Sequence, residues 1–156
     1  MDKPTHLVEF EAMLLSRHAY LFGSRPRPAP FRLDRSAYVL LTRLLLDGPM
    51  SIGRLSEVFG LDVSTLNRQT AAMLKSGLVE RIPDPEGGMA RRFRVTDEGE
   101  KQLADDRKAI YEVLENLFAD WAPEEVADFA ASLRRFNGEI EKVEGRAWPR
   151  PQEPLT

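Results

Sequence analysis

The 156-residue sequence contains no cysteine and only two histidines. Disulfide bridges, thiolate metal sites and cysteine-based redox sensing are therefore excluded, and His6 and His18 are too few to indicate a metal centre. No apolar run approaches the ~18 residues of a membrane span, and the N-terminal residues do not follow the order of a signal peptide. We therefore expect a cytoplasmic protein that uses no metal, no cofactor and no membrane partner.

The sequence also lacks the motifs of common catalytic sites. It has no nucleophile elbow and no glycine-rich phosphate loop, since Gly87-Gly88 is not followed by Lys and then Ser or Thr. We therefore predict that the protein is not an enzyme. With 42% hydrophobic residues, the chain suits one compact unit of ordinary size.

The charged residues are unevenly distributed. The formal net charge is −3, but residues 1–95 carry +4 and residues 96–148 carry −7. This distribution permits contact between the first part of the chain and DNA phosphates, and it predicts that the acidic C-terminal helices face away from them.

Residues 51–76 have the pattern of two consecutive helices joined by a short turn. Ser51 is a favourable N-cap for the first helix, which Gly60 ends, and Asp62 is a favourable N-cap for the second. The second helix is expected to run from Val63 to about Ser76, before a left-handed glycine.

Beyond Gly77 the pattern becomes that of a β-hairpin. Residues 78–82 and 92–95 alternate between apolar and polar side chains, as half-buried strands do. Residues 83–91 contain two prolines and two adjacent glycines, which indicates a protruding loop. The whole segment therefore predicts a winged helix-turn-helix, which inserts its second helix into the DNA major groove.

Further helices flank this segment. Asp34 can cap a helix over 35–47 with an apolar stripe. An earlier helix over about 5–22 is followed by a proline-rich loop over 23–30. Thr96 can cap a long helix, and Pro123 can open a final one. That helix has apolar residues at alternating spacings of three and four: Val126, Phe129, Leu133, Phe136, Ile140 and Val143.

This alternation is a helix-packing seam, which either packs on the preceding helix of the same chain or joins two copies. We favour a homodimer, because a two-fold DNA-binding protein needs a dimer interface. The residues predicted to form it are Leu7, Leu14, Leu117, Trp121, Phe129, Leu133, Phe136 and Ile140.

Taken together, these segments resemble the MarR family of bacterial transcriptional regulators over residues 5–145. The most characteristic stretches are 55–68, 74–81, Asp84-Pro85 and 94–99. The resemblance implies a mainly α fold with a small β-hairpin wing, in which a winged helix-turn-helix lobe joins a helical dimerisation region. It also implies a triangular homodimer, and a cleft where small aromatic or phenolic effectors bind. His18, Tyr38 and Tyr111 are candidates for that cleft, although core or interface positions explain them better.

The wing departs from the family pattern at one place. Family members commonly carry Asp-x-Arg at the wing tip, where the arginine enters the minor groove, whereas this chain has Gly87-Gly88-Met89. Arg91 or Arg92 could substitute for that arginine. Strand parity predicts that Arg92 is exposed. For the minor-groove contact we favour Arg91 and Arg92 over Arg94, because Arg94 could pair with Glu80 or Asp84 across the hairpin.

The second helix of the motif carries most of the predicted DNA contacts. Leu66, Thr70 and Met73 share one face and are expected to turn to the core, which leaves a polar face for bases and phosphates. Its predicted contacts are Val63, Ser64, Thr65, Asn67, Arg68, Gln69 and Lys75. Ser51 and Arg54 are predicted to contact the DNA backbone. The predicted DNA contacts of the wing are Arg91, Arg92 and Arg94.

The expected organisation is a dimerisation helix and linker over 1–33, a DNA-binding lobe over 34–96, dimerisation helices over 97–147 and an extended or frayed tail over 148–156. The expected function is double-stranded DNA binding at a palindromic operator, with repression as the family default and release by a small effector. The alternative is a winged helix that binds a protein partner, which the net negative charge and the altered wing tip would favour.

Overall fold

The computed structural model describes residues 2–18, 21 and 31–155. Its helices and strands, in chain order, are α1 (Thr5–Arg17), α2 (Arg35–Asp47), β1 (Met50–Ser51), α3 (Ile52–Phe59), α4 (Val63–Lys75), β2 (Val79–Ile82), β3 (Arg92–Val95), α5 (Asp97–Leu117) and α6 (Pro123–Glu144). The mainly helical fold class is therefore confirmed. The predicted proline-rich loop over 23–30 lies outside the described residues.

The helix boundaries follow from capping groups that the sequence predicts. Asp34 Oδ1 accepts a hydrogen bond from Ala37 N–H at 2.8 Å, and Ser51 Oγ accepts one from Arg54 N–H at 3.2 Å. Asp62 occupies the N-cap of α4, but its side chain makes no capping hydrogen bond. The prediction for the first helix was too long, because α1 ends at Arg17 and His18 is extended.

The sheet has three strands rather than the two that the sequence predicts. Its order is β1-β3-β2, and both pairs are antiparallel, with Met50 opposite Phe93 and Val79 opposite Val95. β1 has only two residues, too few for alternation to reveal a strand. Through β1, the start of α3 is hydrogen-bonded to the base of the wing.

Within the described residues, every buried side chain lies between residues 31 and 107. We call this part of the molecule, from α2 to the first half of α5, the winged lobe. Its core includes Leu41, Leu55, Leu66 and Leu103, each essentially inaccessible to solvent. Helical spacing in the sequence predicts an apolar stripe on α2 of Ala37, Tyr38, Leu41, Leu44 and Leu45. This prediction was wrong for Leu45, which is exposed.

Two charged side chains of α5 are buried in this lobe. The carboxylate of Asp106 accepts hydrogen bonds from the backbone N–H groups of Arg32 and Leu33, both at 2.9 Å. The neighbouring Arg107 lies 5.9 Å from the ring centroid of Tyr38. The two hydrogen bonds of Asp106 fasten the chain before α2 to α5 and satisfy two backbone donors.

The wing is joined to α5 at Thr96. Thr96 N–H donates to Leu78 O at 3.1 Å, and Thr96 Oγ1 donates to Gly77 O at 2.6 Å while accepting from Gly99 N–H at 3.0 Å. A side chain at Gly99 would collide with the Leu78 carbonyl. The hairpin therefore passes into α5 with no intervening loop.

The C-terminal tail is extended, as predicted, but it is not frayed. Trp148, Pro149 and Arg150 are half-buried against other elements. Among the described residues, no helix combines the length and apolar character needed to cross a bilayer.

Candidate nucleic-acid interface

The first turns of α4 present a polar surface above a buried base. Leu66, Thr70 and Met73 are 0%, 2% and 3% exposed, which confirms the predicted core face. On the opposite side, Ser64, Asn67 and Arg68 are exposed. The predicted contacts also include exposed Val63 and Lys75 and half-buried Thr65 and Gln69. The helix therefore offers amide, hydroxyl and guanidinium groups, which can pair with base edges.

The turn between α3 and α4 is held in one conformation. Gly60 ends α3, as the sequence predicts, and has a left-handed φ of 62°. Ser56 Oγ donates a hydrogen bond to Leu61 O at 2.6 Å. Both helices are thus fixed relative to each other, as base recognition requires.

The predicted backbone-contacting residues lie beside the base of the wing. Ser51, Arg54 and Arg92 line one concave surface, together with Asp47, Pro49 and Met50. The Arg54 side chain is largely exposed and forms an ion pair of 3.1 Å with Glu57. The Ser51 hydroxyl is occupied in capping α3. This surface joins cationic groups to a helix N-terminus, a combination that suits a phosphate.

The three wing arginines have different surroundings. Arg92 forms an ion pair of 3.1 Å with Asp84, which also accepts a hydrogen bond from Glu86 N–H. Arg94 pairs with Glu80 on the neighbouring strand. Arg91 is exposed and makes no ion pair within the described part of the chain.

The prediction that Arg92 is exposed was therefore wrong. Strand parity places its side chain on the polar face, but the loop folds back so that Asp84 covers it, and Arg92 is half-buried. The predicted pairing of Arg94 across the hairpin is confirmed. At the tip, Met89 is fully exposed.

The three candidates for an effector cleft lie in different surroundings. Tyr38 packs against the core of the winged lobe, and His18 is exposed after α1. Tyr111 lines a groove of about 450 Å³ with Leu114, Glu115, Phe118, Trp121, Pro123 and Val126. Phe118, Trp121 and Phe129 form a cluster with ring centroids 5.0–6.1 Å apart. The aromatic surface therefore lies at the turn between α5 and α6.

The predicted dimer residues are mostly exposed apolar side chains. No residue of α1 or α6 is buried within the chain. Leu14 is half-buried. The exposed members are Leu7, Leu117, Trp121, Phe129, Leu133, Phe136 and Ile140. Intramolecular packing on α5, the alternative interpretation of the seam, thus covers its side chains only in part, since Phe129, Leu133, Phe136 and Ile140 keep 37–49% of their surface exposed.

Sequence reasoning missed two contributors to the surroundings of this interface, Arg43 of α2 and Trp148 of the tail. Arg43 is 4% exposed, although an arginine at its position suggests a solvated helix face. Trp148 lies over it, with the Arg43 guanidinium 4.8 Å from a ring centroid. A tryptophan within a proline-rich tail was the available signal for a docked segment.

A polar helix held outward by a buried base, followed by a wing, defines a winged helix DNA-binding protein. The sequence pattern of the MarR family matches residues 33–87. The chain is 36% identical to YxaD of Bacillus subtilis (strain 168), an uncharacterized HTH-type transcriptional regulator, over 87% of this chain and 94% of that protein. The chain therefore belongs to the MarR family of transcriptional regulators.

Solved structures have the same fold. A MarR family protein from Bacillus stearothermophilus superposes with a TM-score of 0.69 at 24% identity, covering 87% of this chain and 91% of the other. An organohalide-sensing regulator in its 2,4-dichlorophenol-bound form gives 0.68 at 12% identity, covering 99% and 93%. Because the family consists of DNA-binding regulators, the prediction that the chain is not an enzyme is confirmed.

Proposed function

We propose that the protein represses transcription as a homodimer bound to a palindromic operator, and that a small aromatic or phenolic effector releases it. A two-fold dimer of this kind places its two α4 helices about 34 Å apart, with half-sites about 10 base pairs from centre to centre. In this proposal residues 34–96 bind DNA, while residues 1–33 and 97–147 supply the dimer contacts.

The observation that carries the proposal is the division of α4 into two faces. Leu66 and Thr70 anchor the helix in the core, so Asn67 and Arg68 are held outward from a rigid base. Asn pairs bidentately with adenine and Arg with guanine, and the first turns of such a helix reach deepest into the groove.

The exposed apolar faces of α1 and α6 support the homodimer. Soluble proteins rarely leave a long contiguous apolar stripe in water, and a second copy of the same chain would cover it. Phe136 is 49% exposed and Leu7 is 58% exposed, so association has substantial apolar area to bury.

In the wing, the ion pairs favour Arg91 as the side chain that reaches the minor groove. Asp84 and Glu80 neutralise Arg92 and Arg94, whereas the charge of Arg91 is uncompensated by an ion pair in the described part of the chain. A narrow minor groove concentrates negative potential and attracts such an arginine.

The effector proposal draws on the aromatic groove at the turn between α5 and α6. Tyr111 and Trp121 offer flat apolar faces with polar edges, which suit a small aromatic ligand. The structural neighbour that was solved with 2,4-dichlorophenol supports this class of ligand. His18 and Tyr38 stay candidates for the same role.

The DNA proposal is tested by fluorescence anisotropy with a labelled duplex from the region upstream of the coding sequence. Affinity should fall steeply with salt, and Arg68→Ala should weaken it by about 1–3 kcal/mol because a base contact is lost. Lys108→Ala removes one exposed positive charge from α5, outside the predicted DNA contacts, and is the matched control.

Equal losses in the two variants would contradict base reading by α4, and absence of binding at low salt would contradict the operator proposal. Repression is tested separately, by placing the bound duplex ahead of a reporter gene in cells that express the protein. Higher reporter output with the protein than without it would contradict repression.

A further inference from the structure

The C-terminal tail contacts the winged lobe at the end of α3. The Trp148 ring packs edge-on against Phe59, with centroids 5.5 Å apart, and covers the Arg43 guanidinium. Phe59 is the last residue of α3, and it packs against the core cluster. The tail therefore touches the lobe beside the turn that leads into α4.

A second contact lies on that turn itself. The Arg146 side chain crosses over Gly60, so closely that a methyl group at Gly60 would lie 2.5 Å from Arg146 Cζ. Because Gly60 also needs its left-handed φ, the turn and the tail fit each other at this residue.

The same segment is bound to α6 through Glu141. One carboxylate oxygen accepts a hydrogen bond from Trp148 N–H at 3.1 Å, and the other accepts one from Arg150. Arg150 also donates to Trp148 O at 2.9 Å. These hydrogen bonds hold two tail residues, Trp148 and Arg150, against one side chain of α6.

The rest of the tail continues between the helices. It borders a groove with Thr42 and Leu46 of α2 on one side and Ile140 of α6 on the other. Near its end, Leu155 O accepts a hydrogen bond from the Tyr111 hydroxyl at 3.1 Å. One segment of ten residues therefore contacts α2, α3, α5 and α6.

We propose that residues 146–155, which we call the C-terminal strap, set the orientation of the winged lobe relative to α6, and that Trp148 is a positioning residue for α4. The chain leaves the lobe along α5 and returns along α6. The strap, which follows α6, then contacts the helix-turn-helix at the end of α3. Without such a fastening, units joined by a small interface move relative to each other. For the spacing of two α4 helices, the inference rests on the proposed homodimer.

The strap is tested first within one chain. Trp121→Phe leaves Trp148 as the single tryptophan, since the sequence has two. In this variant Trp148 should be protected from acrylamide and emit at shorter wavelength than free tryptophan amide, and adding Arg150→Gln should remove both properties. Quenching of Trp148 as fast as that of the free amide, or no change on adding Arg150→Gln, would overturn the strap.

Its positioning role is tested by electron spin resonance distance measurement on the full chain. The sequence has no cysteine, so Ala71→Cys on the exposed side of α4 gives one spin label per chain and one distance per dimer. The distance distribution should broaden about twofold when Trp148→Ala or Arg150→Gln is added. Gln152→Ala, at an exposed strap residue, is the matched control and should leave the distribution unchanged.

The outcomes are distinguishable. Distributions for Trp148→Ala and Arg150→Gln as narrow as that of Gln152→Ala would overturn the positioning role. Within the described residues, Arg150 bonds to Glu141 and Trp148 rather than to a member of the core cluster. Its variant therefore still tests the strap if Trp148→Ala perturbs the lobe, and far-UV circular dichroism checks the fold. Absence of any distance between labels would contradict the homodimer, while the fluorescence test still decides whether the strap is docked.

Discussion

The winged lobe and the outer helices α1 and α6 are both regular structure, yet they are stabilised in different ways. The lobe places leucines from four helices in one core, with Leu41, Leu55, Leu66 and Leu103 inaccessible to solvent. α1 and α6 have equally regular apolar stripes but bury none of their residues within the chain. Helical periodicity therefore identifies a face that will be covered, without identifying what covers it.

The largest expected effect separates the two regions by stability. Leu41→Ala should lower the free energy of unfolding by about 2–5 kcal/mol, because it leaves a cavity in the lobe. Leu133→Ala, on α6, should lower stability mainly through weaker association. Urea unfolding at several protein concentrations checks this, since the midpoint of a dimer rises with concentration. If Leu133→Ala lowered the urea midpoint equally at all protein concentrations, the proposed difference between the winged lobe and α6 would be contradicted.

A second prediction concerns the buried carboxylate of Asp106, which fastens the chain before α2 to α5 within the winged lobe. Asp106→Ala removes the acceptor of two backbone N–H groups and should cost about 2–4 kcal/mol in unfolding free energy, because each lost partner leaves a desolvated donor. Asp105→Ala is the matched control, since Asp105 is exposed and pairs with Lys101 at 3.4 Å. Its effect should stay within about 0.5 kcal/mol. Equal losses of unfolding free energy in Asp106→Ala and Asp105→Ala would show that the charge on the helix, rather than the buried hydrogen bonds, causes the effect.

The smallest expected effect is a pH dependence at the contact between α6 and the strap. The hydrogen bond from Arg150, followed by that from Trp148 N–H, holds the pKa of the Glu141 carboxyl below its ordinary value of 4.5. A carboxyl with a lowered pKa in the folded state stabilises that state above its unfolded pKa, and the contribution is lost as the pH falls through the folded pKa. The strap should therefore stay docked at neutral pH and loosen only in acid.

Trp148 fluorescence in the Trp121→Phe variant, followed as the pH is lowered, checks this expectation. Glu141→Gln should abolish the acid transition, while Glu144→Gln, one turn further along α6, should keep it. A transition near neutral pH would contradict the role given to Glu141.

The sequence predicted well the features that depend on neighbouring residues. The caps of α2, α3 and α5 and the two faces of α4 all follow from groups within four positions of each other. Such local signals are visible in one chain because helix geometry fixes which residues meet.

The features that were missed depend on partners far along the chain. Asp106 binds backbone that is more than seventy residues away, β1 exists only because β3 lies beside it, and Trp148 finds Phe59 and Arg43 in the lobe. The covering of Arg92 by Asp84 depends on the path of a glycine-rich loop. In each case the sequence suggested an exposed residue or loop, because local residue spacing does not reveal the partner that covers it.

The junction at Thr96 has a mechanical consequence. The last strand of the hairpin continues into a helix of 21 residues without a hinge, and Gly99 lets the two lie in direct contact. The hairpin and α5 should therefore rotate as a single lever, so that a tilt of a few degrees at the far end of the helix displaces the wing tip against the duplex.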